Sequence, residues 1–175
     1  MRIWPRGTYD WGSTPSERSE PLACDEVLPR PDATLHRALD VSARTESVFR
    51  WLCQLRVAPY SYDKLDNFGR RSPQTLTPGL EQLEVGQRVM SIFRLLDFEP
   101  GRSITVFSRG PVFGQVACTY RVEPLSAERS RLLVRLHVVY PKRALSPMRL
   151  ILPPGDLLMM RRQLLNLKAL AEQGV

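Results

Sequence analysis

Hydrophobic positions change their period along this chain in an order that outlines an α+β protein. From Ala33 to Val41, Leu35, Leu39 and Val41 share one face at the two-residue spacing of a strand, with Arg37 interrupting that face. Ser42 then offers an N-cap oxygen, and over Ala43–Val57 the spacing lengthens. Val48, Trp51, Leu52 and Leu55 recur at three and four residues, the apolar stripe of a helix that Pro59 stops. Residues 60–83 are the least regular internal stretch, with a short helix predicted around Asp63–Phe68 and breaks at Pro73 and Pro78-Gly79. Strand periods then dominate. Arg88–Phe98 is apolar on both faces, Glu99-Pro100-Gly101-Arg102 suits a type II turn, and Ser103–Ser108 follows before a Gly110-Pro111 break. Gln115–Glu123 and Arg131–Tyr140 alternate cleanly, joined by a hairpin turn over 124–130. A final helix is predicted over Leu157–Gln173, opened by Pro153-Pro154-Gly155-Asp156 and ended by Gly174. Leu157, Met160, Leu164, Leu167 and Ala171 form its stripe, widened by Leu158, Met159 and Leu165.

Before Ala33 the pattern fails. Residues 1–32 carry Pro5, Pro15, Pro21, Pro29 and Pro31, which remove amide donors, yet also Trp4, Trp11, Leu22, Val27 and Leu28. They read as an irregular Pro-rich N-terminal arm packed on a single domain over 33–175. A chain of 175 residues, 43% of them hydrophobic, supports one sizeable core without a staple.

Charge changes this picture little. The net +7 is uneven: residues 1–100 hold 13 Lys/Arg against 14 Asp/Glu, and residues 101–175 hold 12 against 4. Arg121, Arg129, Arg131, Arg135, Lys142, Arg143 and Arg149 are spread over strands and turns, separated by apolar residues. A solvated outer sheet face is the expectation, ahead of a surface for an acidic partner, and no nucleic-acid binding is expected. Apolar runs such as Leu157–Met160 are too short for a membrane span, and the N-terminus has no stretch of signal-peptide type. Cys24, Cys53 and Cys118 are odd in number and far apart, which fits reduced thiols in a cytoplasmic protein. Cys53 and Cys118 read as small core residues. With only His36 and His137 besides, no local spacing offers a metal site, and neither a metal nor a cofactor is expected. His137 reads as a surface histidine, and His36 is given no role. Gly110-x-x-x-Gly114 lacks the Lys-Ser/Thr tail of a phosphate loop.

Several segments carry a family resemblance. Trp11-Gly12-Ser13-Thr14, Pro31-Asp32, Thr34–Ala43 and Val48-Phe49-Arg50-Trp51-Leu52 resemble the opening of the SRPBCC (START-like) superfamily. The similarity is strongest to a bacterial, especially actinobacterial, branch labelled polyketide cyclase/dehydrase or lipid-transport-like. Tyr60-Ser61-Tyr62-Asp63, Val85–Val89, Glu99–Arg102 and Arg131–Arg135 resemble later segments of that branch, so the likeness runs over roughly residues 11–173. Lys64 departs from it, standing where the branch often has Trp, and Gly69–Pro73 replaces a variable insert. The resemblance implies a helix-grip fold, in which a curved antiparallel sheet wraps around a long C-terminal helix. It transfers no catalytic residue, because fold does not imply function.

A straight helix cannot touch a strongly curved sheet along its whole length. Unless large side chains close it, an apolar gap remains, the usual setting of a small-molecule site. Met90, Ile92, Phe107, Tyr120, Leu136, Val138, Met160 and Leu164 are the candidate walls, each of which could instead simply fill the core. Tyr60, Tyr62 and Asp63 are the polar candidates: they follow the first helix and carry groups able to orient a polar ligand end or exchange protons. Against that, Asp63 could merely cap a short helix and the tyrosines could be packing residues. The expectation is a protein that binds an apolar or aromatic small molecule, lipid- or polyketide-like, without catalysis. The alternatives are a cyclase, aromatase or dehydratase using Tyr60, Tyr62 or Asp63, and an interaction module using its basic surface.

Overall fold

The computed structural model describes residues 3–141 and 147–174. In chain order its elements are α1 (Arg6–Tyr9), β1 (Asp10–Trp11), α2 (Pro15–Ser19), α3 (Ala23–Val27), β2 (Ala33–Val41), α4 (Thr45–Cys53), α5 (Asp63–Asp66), β3 (Arg88–Val89), β4 (Phe93–Glu99), β5 (Ser103–Gly110), β6 (Gly114–Ser126), β7 (Arg129–Val139) and α6 (Met148–Gln173). The strands form one seven-stranded sheet in the order β1-β2-β7-β6-β5-β4-β3, antiparallel except where β1 runs parallel to β2. It is curved and unclosed, and α4 and α6 lie against its inner face: an α+β helix-grip fold.

The register settles which residues look inward. Cys118 faces Leu136 across β6 and β7, Tyr120 faces Val134, and Leu35 on β2 faces Leu136 from the other side. These, with Leu39, Val106 and Leu132, join Leu52 and Leu55 and the α6 residues Met160, Leu164, Leu167, Leu170 and Ala171 in one buried cluster. Gln163 takes a place in the α6 stripe where the periodicity put none, whereas Leu158 and Leu165 are exposed.

Several elements differ from their sequence readings, each for a local reason. The helix after β2 starts at Thr45, because the Ser42 amide is engaged by Glu172 Oε1 at 2.6 Å; a 3₁₀ turn over Gln54–Arg56 finishes it. The run Arg88–Phe98 is a tight hairpin: Met90 and Ser91 adopt positive φ, and the Met90 amide donates to the Leu55 carbonyl at 2.9 Å. The Glu99–Arg102 turn closes as expected, with Gly101 at φ 76° and Arg102 N–H donating to Glu99 O at 2.9 Å. Pro153 and Pro154 lie inside α6, which begins two turns earlier at Met148. Proline at 154 deprives the Leu150 carbonyl of its intrahelical donor. The Trp4 indole of the arm supplies one instead, at 2.9 Å.

The arm itself is built of short regular pieces. Pro15 sits at the first position of α2, where a missing amide costs nothing, and Thr14 with Glu17 forms a reciprocal cap. The arm covers the outer face of the sheet, which corrects the reading of that face as solvated. Arg131 pairs with Glu17 (2.8 Å) and Asp40 (2.9 Å), Arg135 with Asp25 (2.6 Å), and Arg121 with Glu20 and Glu123. Arg135 also donates to the Glu17 and Arg18 carbonyls at the end of α2. Arg129 and Arg149 pair with Asp40 and Asp32 at 3.3 and 3.2 Å. Lys142 and Arg143 lie outside the described residues. Acidic residues of the arm and β2 thus meet arginines of the later strands within one molecule. His137, read as a surface residue, is buried on this outer face against the arm.

Gly12 fixes how the arm enters the sheet. At φ 73° it follows β1, and a Cβ there would run into the Ala38 carbonyl oxygen, a backbone atom with nowhere to go. Gly12→Ala therefore destabilises the protein by about 3 kcal/mol, combining a left-handed penalty with the clash. A urea midpoint lowered to match, with protease cleavage appearing in residues 12–28, is the expected result. An unchanged midpoint and a protected arm would contradict it.

Candidate functional site

Between the sheet and α6 lies a cavity of about 360 Å³. Val116, Cys118, Tyr120 and Leu136 form its sheet side, Leu152, Asp156, Met159 and Met160 its helix side, and Met90, Ile92 and Phe93 of the β3–β4 hairpin its rim. Its size falls toward the lower end of the roughly 300–1,000 Å³ of small-molecule sites.

Five of the eight candidate walls meet there: Met90, Ile92, Tyr120, Leu136 and Met160. Val138 and Leu164 are fully buried in the core and are not among the lining residues. Phe107 lies on the other side of the sheet, paired opposite Ala117 and packed against the Cys24–Leu28 segment of the arm. The positive φ of Met90 matters here, because it carries the Met90 side chain to within 3.8 Å of the Tyr120 hydroxyl.

The polar candidates Tyr60, Tyr62 and Asp63 do not line this cavity. Tyr60 is fully buried at φ 55°, edge-on to the Trp51 ring at 5.9 Å, and its hydroxyl has no hydrogen-bond partner among the described residues. Burial pushes its phenol up to about 12. Tyr62 is the N-cap residue of α5, and its carbonyl accepts from the Leu65 and Asp66 amides. Asp63 accepts from the Ser72 amide (2.9 Å) and hydroxyl (2.6 Å), which pins the following loop. Tyr60 and Asp63 border a separate polar cleft with Ser72 and Asn166.

Polar groups that the sequence reading missed do reach the cavity: Ser61, Asp66, Ser108, Asp156 and Gln163. Tyr120 donates to Gln163 Oε1 at 2.8 Å, while Gln163 Nε2 donates to the Pro59 carbonyl at 2.6 Å, so the amide's orientation is set from both ends. Ser61 donates to Asp66 at the mouth. Asp156 accepts from Arg37 Nη2 at 2.7 Å; Arg37 is fully buried and also donates to the Tyr9 and His36 carbonyls. The signals for these were present: an arginine on the apolar face of β2, and a glutamine inside the α6 stripe. No spacing rule linked either to a partner more than a hundred residues away.

The environment is poor in mobile protons. Burial pushes the Tyr120 phenol and the Cys118 thiol well above their usual ranges. It also raises the Asp156 carboxyl, against which the Arg37 guanidinium pulls, and the Asp66 carboxyl, against which the Ser61 hydroxyl pulls. Asp156 Oδ1 accepts no hydrogen bond from the described residues, although its partner oxygen is held by Arg37.

Solved structures share this architecture. A structural-genomics protein of Chromobacterium violaceum superposes with a TM-score of 0.52 at 19% identity, covering 79% of this chain and 96% of its own. A START superfamily protein of Mycobacterium smegmatis gives 0.50 at 15%, covering 81% and 99%. The di-domain ARO/CYC BexL of the BE-7585A biosynthetic pathway gives 0.51 at 15%, covering 79% of this chain and 46% of that longer one. No family model matches the chain, and no curated protein matches it in sequence. The fold is of the SRPBCC, START-like type. Among the described residues no helix is long and apolar enough to cross a membrane.

The buried Arg37–Asp156 pair yields a directional prediction. Arg37→Met strands a buried carboxylate and costs about 3–5 kcal/mol at neutral pH. Without Arg37 the native carboxyl binds its proton more tightly than the unfolded one, so the loss grows as pH rises and shrinks as pH falls toward the carboxylate range. Arg37→Met combined with Asp156→Leu recovers most of the stability. Urea melts across pH read this, and a pH-independent loss unrelieved by the second change would contradict it.

Proposed function

We propose that this protein binds an apolar or aromatic small molecule, lipid- or polyketide-like, between its sheet and α6, without transforming it. The observation that carries this reading is the cavity itself. More than half of its lining residues are Met, Leu, Ile, Val or Phe, and its polar atoms are few. The Met90 and Met160 sulfurs both lie within 3.8 Å of the Tyr120 hydroxyl and Met159 also lines the space; unbranched, polarizable thioethers accommodate ligands of varied shape. Asp156 Oδ1 provides one acceptor for a hydroxyl at the ligand's polar end. Because Arg37 already balances the carboxylate, that donor is neutral rather than cationic. Fold neighbours from a START superfamily and from an aromatic biosynthetic pathway accord with such a ligand class.

Catalysis of the cyclase, aromatase or dehydratase kind finds less support. The phenol and thiol facing the cavity are held protonated by burial, and Tyr60, Tyr62 and Asp63 do not line it. A basic docking surface finds less still, since its described arginines are paired within the chain.

Titration with 1-aminoanthracene, a neutral aromatic reporter, tests the proposal. One equivalent binds with enhanced fluorescence, and Leu136→Trp, which fills the cavity from the sheet side, weakens binding at least tenfold while the far-UV spectrum is kept. If the reporter does not bind, or binds the Trp variant equally well, the cavity is not the site.

A further inference from the structure

On the outer face of the sheet, away from the cavity, α3 of the arm meets β7. There Cys24 Sγ, Asp25 Oδ1 and His137 Nε2 all lie within 4.8 Å of one another. Asp25 Oδ1 is 3.2 Å from His137 Nε2 and 3.8 Å from Cys24 Sγ. Tetrahedral zinc, with bonds of about 2.0–2.3 Å, needs ligand atoms roughly 3.3–3.7 Å apart. The two separations to Asp25, 3.2 and 3.8 Å, bracket that spacing.

A second observation concerns the histidine's other nitrogen. His137 Nδ1 lies 2.8 Å from the Leu28 carbonyl, which only accepts, so Nδ1 carries a hydrogen. In a neutral ring Nε2 then presents a lone pair to a carboxylate oxygen at 3.2 Å, acceptor against acceptor. Something positive must stand between them: a second proton on the ring, or a cation. Donation of the non-ligating N–H to a backbone carbonyl is the arrangement that orients metal-bound imidazoles. The remaining surroundings steady the carboxylate. Asp25 Oδ2 accepts from Arg135 Nη1 at 2.6 Å and from the Leu22 amide at 2.8 Å, leaving Oδ1 turned toward the other two groups. The Cys24 amide is tied to Thr119 Oγ1 at 3.0 Å, so the thiol cannot drift from the sheet.

We propose that Cys24, Asp25 and His137 bind a zinc ion that staples the N-terminal arm to the sheet. Asp25 and His137 border a solvent groove together with Arg18, Glu20 and Arg135, and a water from it completes the tetrahedron. The Cys24 thiolate and the Asp25 carboxylate both face the dication, while Arg135 stays on the far carboxylate oxygen. A thiol must lose its proton to bind the metal, so affinity rises with pH.

Cobalt titration of the chelator-stripped full chain tests this directly. One equivalent of Co²⁺ gives a thiolate-to-metal charge-transfer band, zinc abolishes it by displacement, Cys24→Ser removes it and Cys53→Ser leaves it intact. Absence of the band from the wild-type protein, or its survival in Cys24→Ser, overturns the proposal and leaves His137 as an imidazolium paired with Asp25. Should Cys24→Ser not fold, zinc-edge X-ray absorption of the wild-type protein decides. One sulfur with nitrogen and oxygen neighbours supports the site, and a shell without sulfur overturns it.

Discussion

One buried ion pair governs the relation between the two halves of this fold. Arg37 rises from the inner face of β2 and grips Asp156 at 2.7 Å, two residues past the prolines of α6. An isolated guanidinium at such a place costs several kcal/mol in desolvation, and the carboxylate with two backbone carbonyls repays it. The consequence is geometric. The N-terminal part of α6 is held at the length of an arginine side chain from the sheet, while its C-terminal part, through Leu164, Leu167 and Ala171, packs directly on the core. The cavity lies beside that N-terminal part, in the wedge between it and the sheet.

The prolines work in the same direction. Pro153 and Pro154 weaken the ladder of α6 where the helix leaves the core, and the Trp4 indole, from the far end of the chain, satisfies one of the orphaned carbonyls. The arm thus serves both faces: its start props the helix, and α2 and α3 neutralise the outer sheet. The charge imbalance between the halves of the sequence is a record of this docking, with Glu17, Glu20 and Asp25 spent on Arg131, Arg121 and Arg135.

How much of this was legible in the sequence depended on whether the deciding contact was local. The alternation of Val116–Val122 and Leu132–Val138 marked β6 and β7 with their inward faces, because neighbouring strands bury the same parity. Phe107 was assigned inward although the opposite residue, Ala117, belongs to the outer set; a strand apolar on both sides does not declare which side meets the helix. The outer arginines and His137 looked solvated because their cover comes from residues 13–28, which have no periodic signature of their own. Pro153-Pro154 read as a helix start since proline is favoured there, and only the tryptophan at the other terminus makes an interior position tolerable. Five of the candidate walls line the cavity, whereas Asp156 and Gln163 acquire their meaning from Arg37 and Tyr120, residues that no spacing rule connects to them.

Whether the wedge between sheet and α6 is empty, accessible space decides the account. A crystal of the ligand-free protein pressurised with xenon examines it directly, because xenon enters dry apolar cavities of this size and is seen without ambiguity. The account predicts xenon among Tyr120, Leu136 and Met160, with the surrounding side chains unmoved. Side chains occupying that volume, or a wedge that excludes the gas, would contradict it.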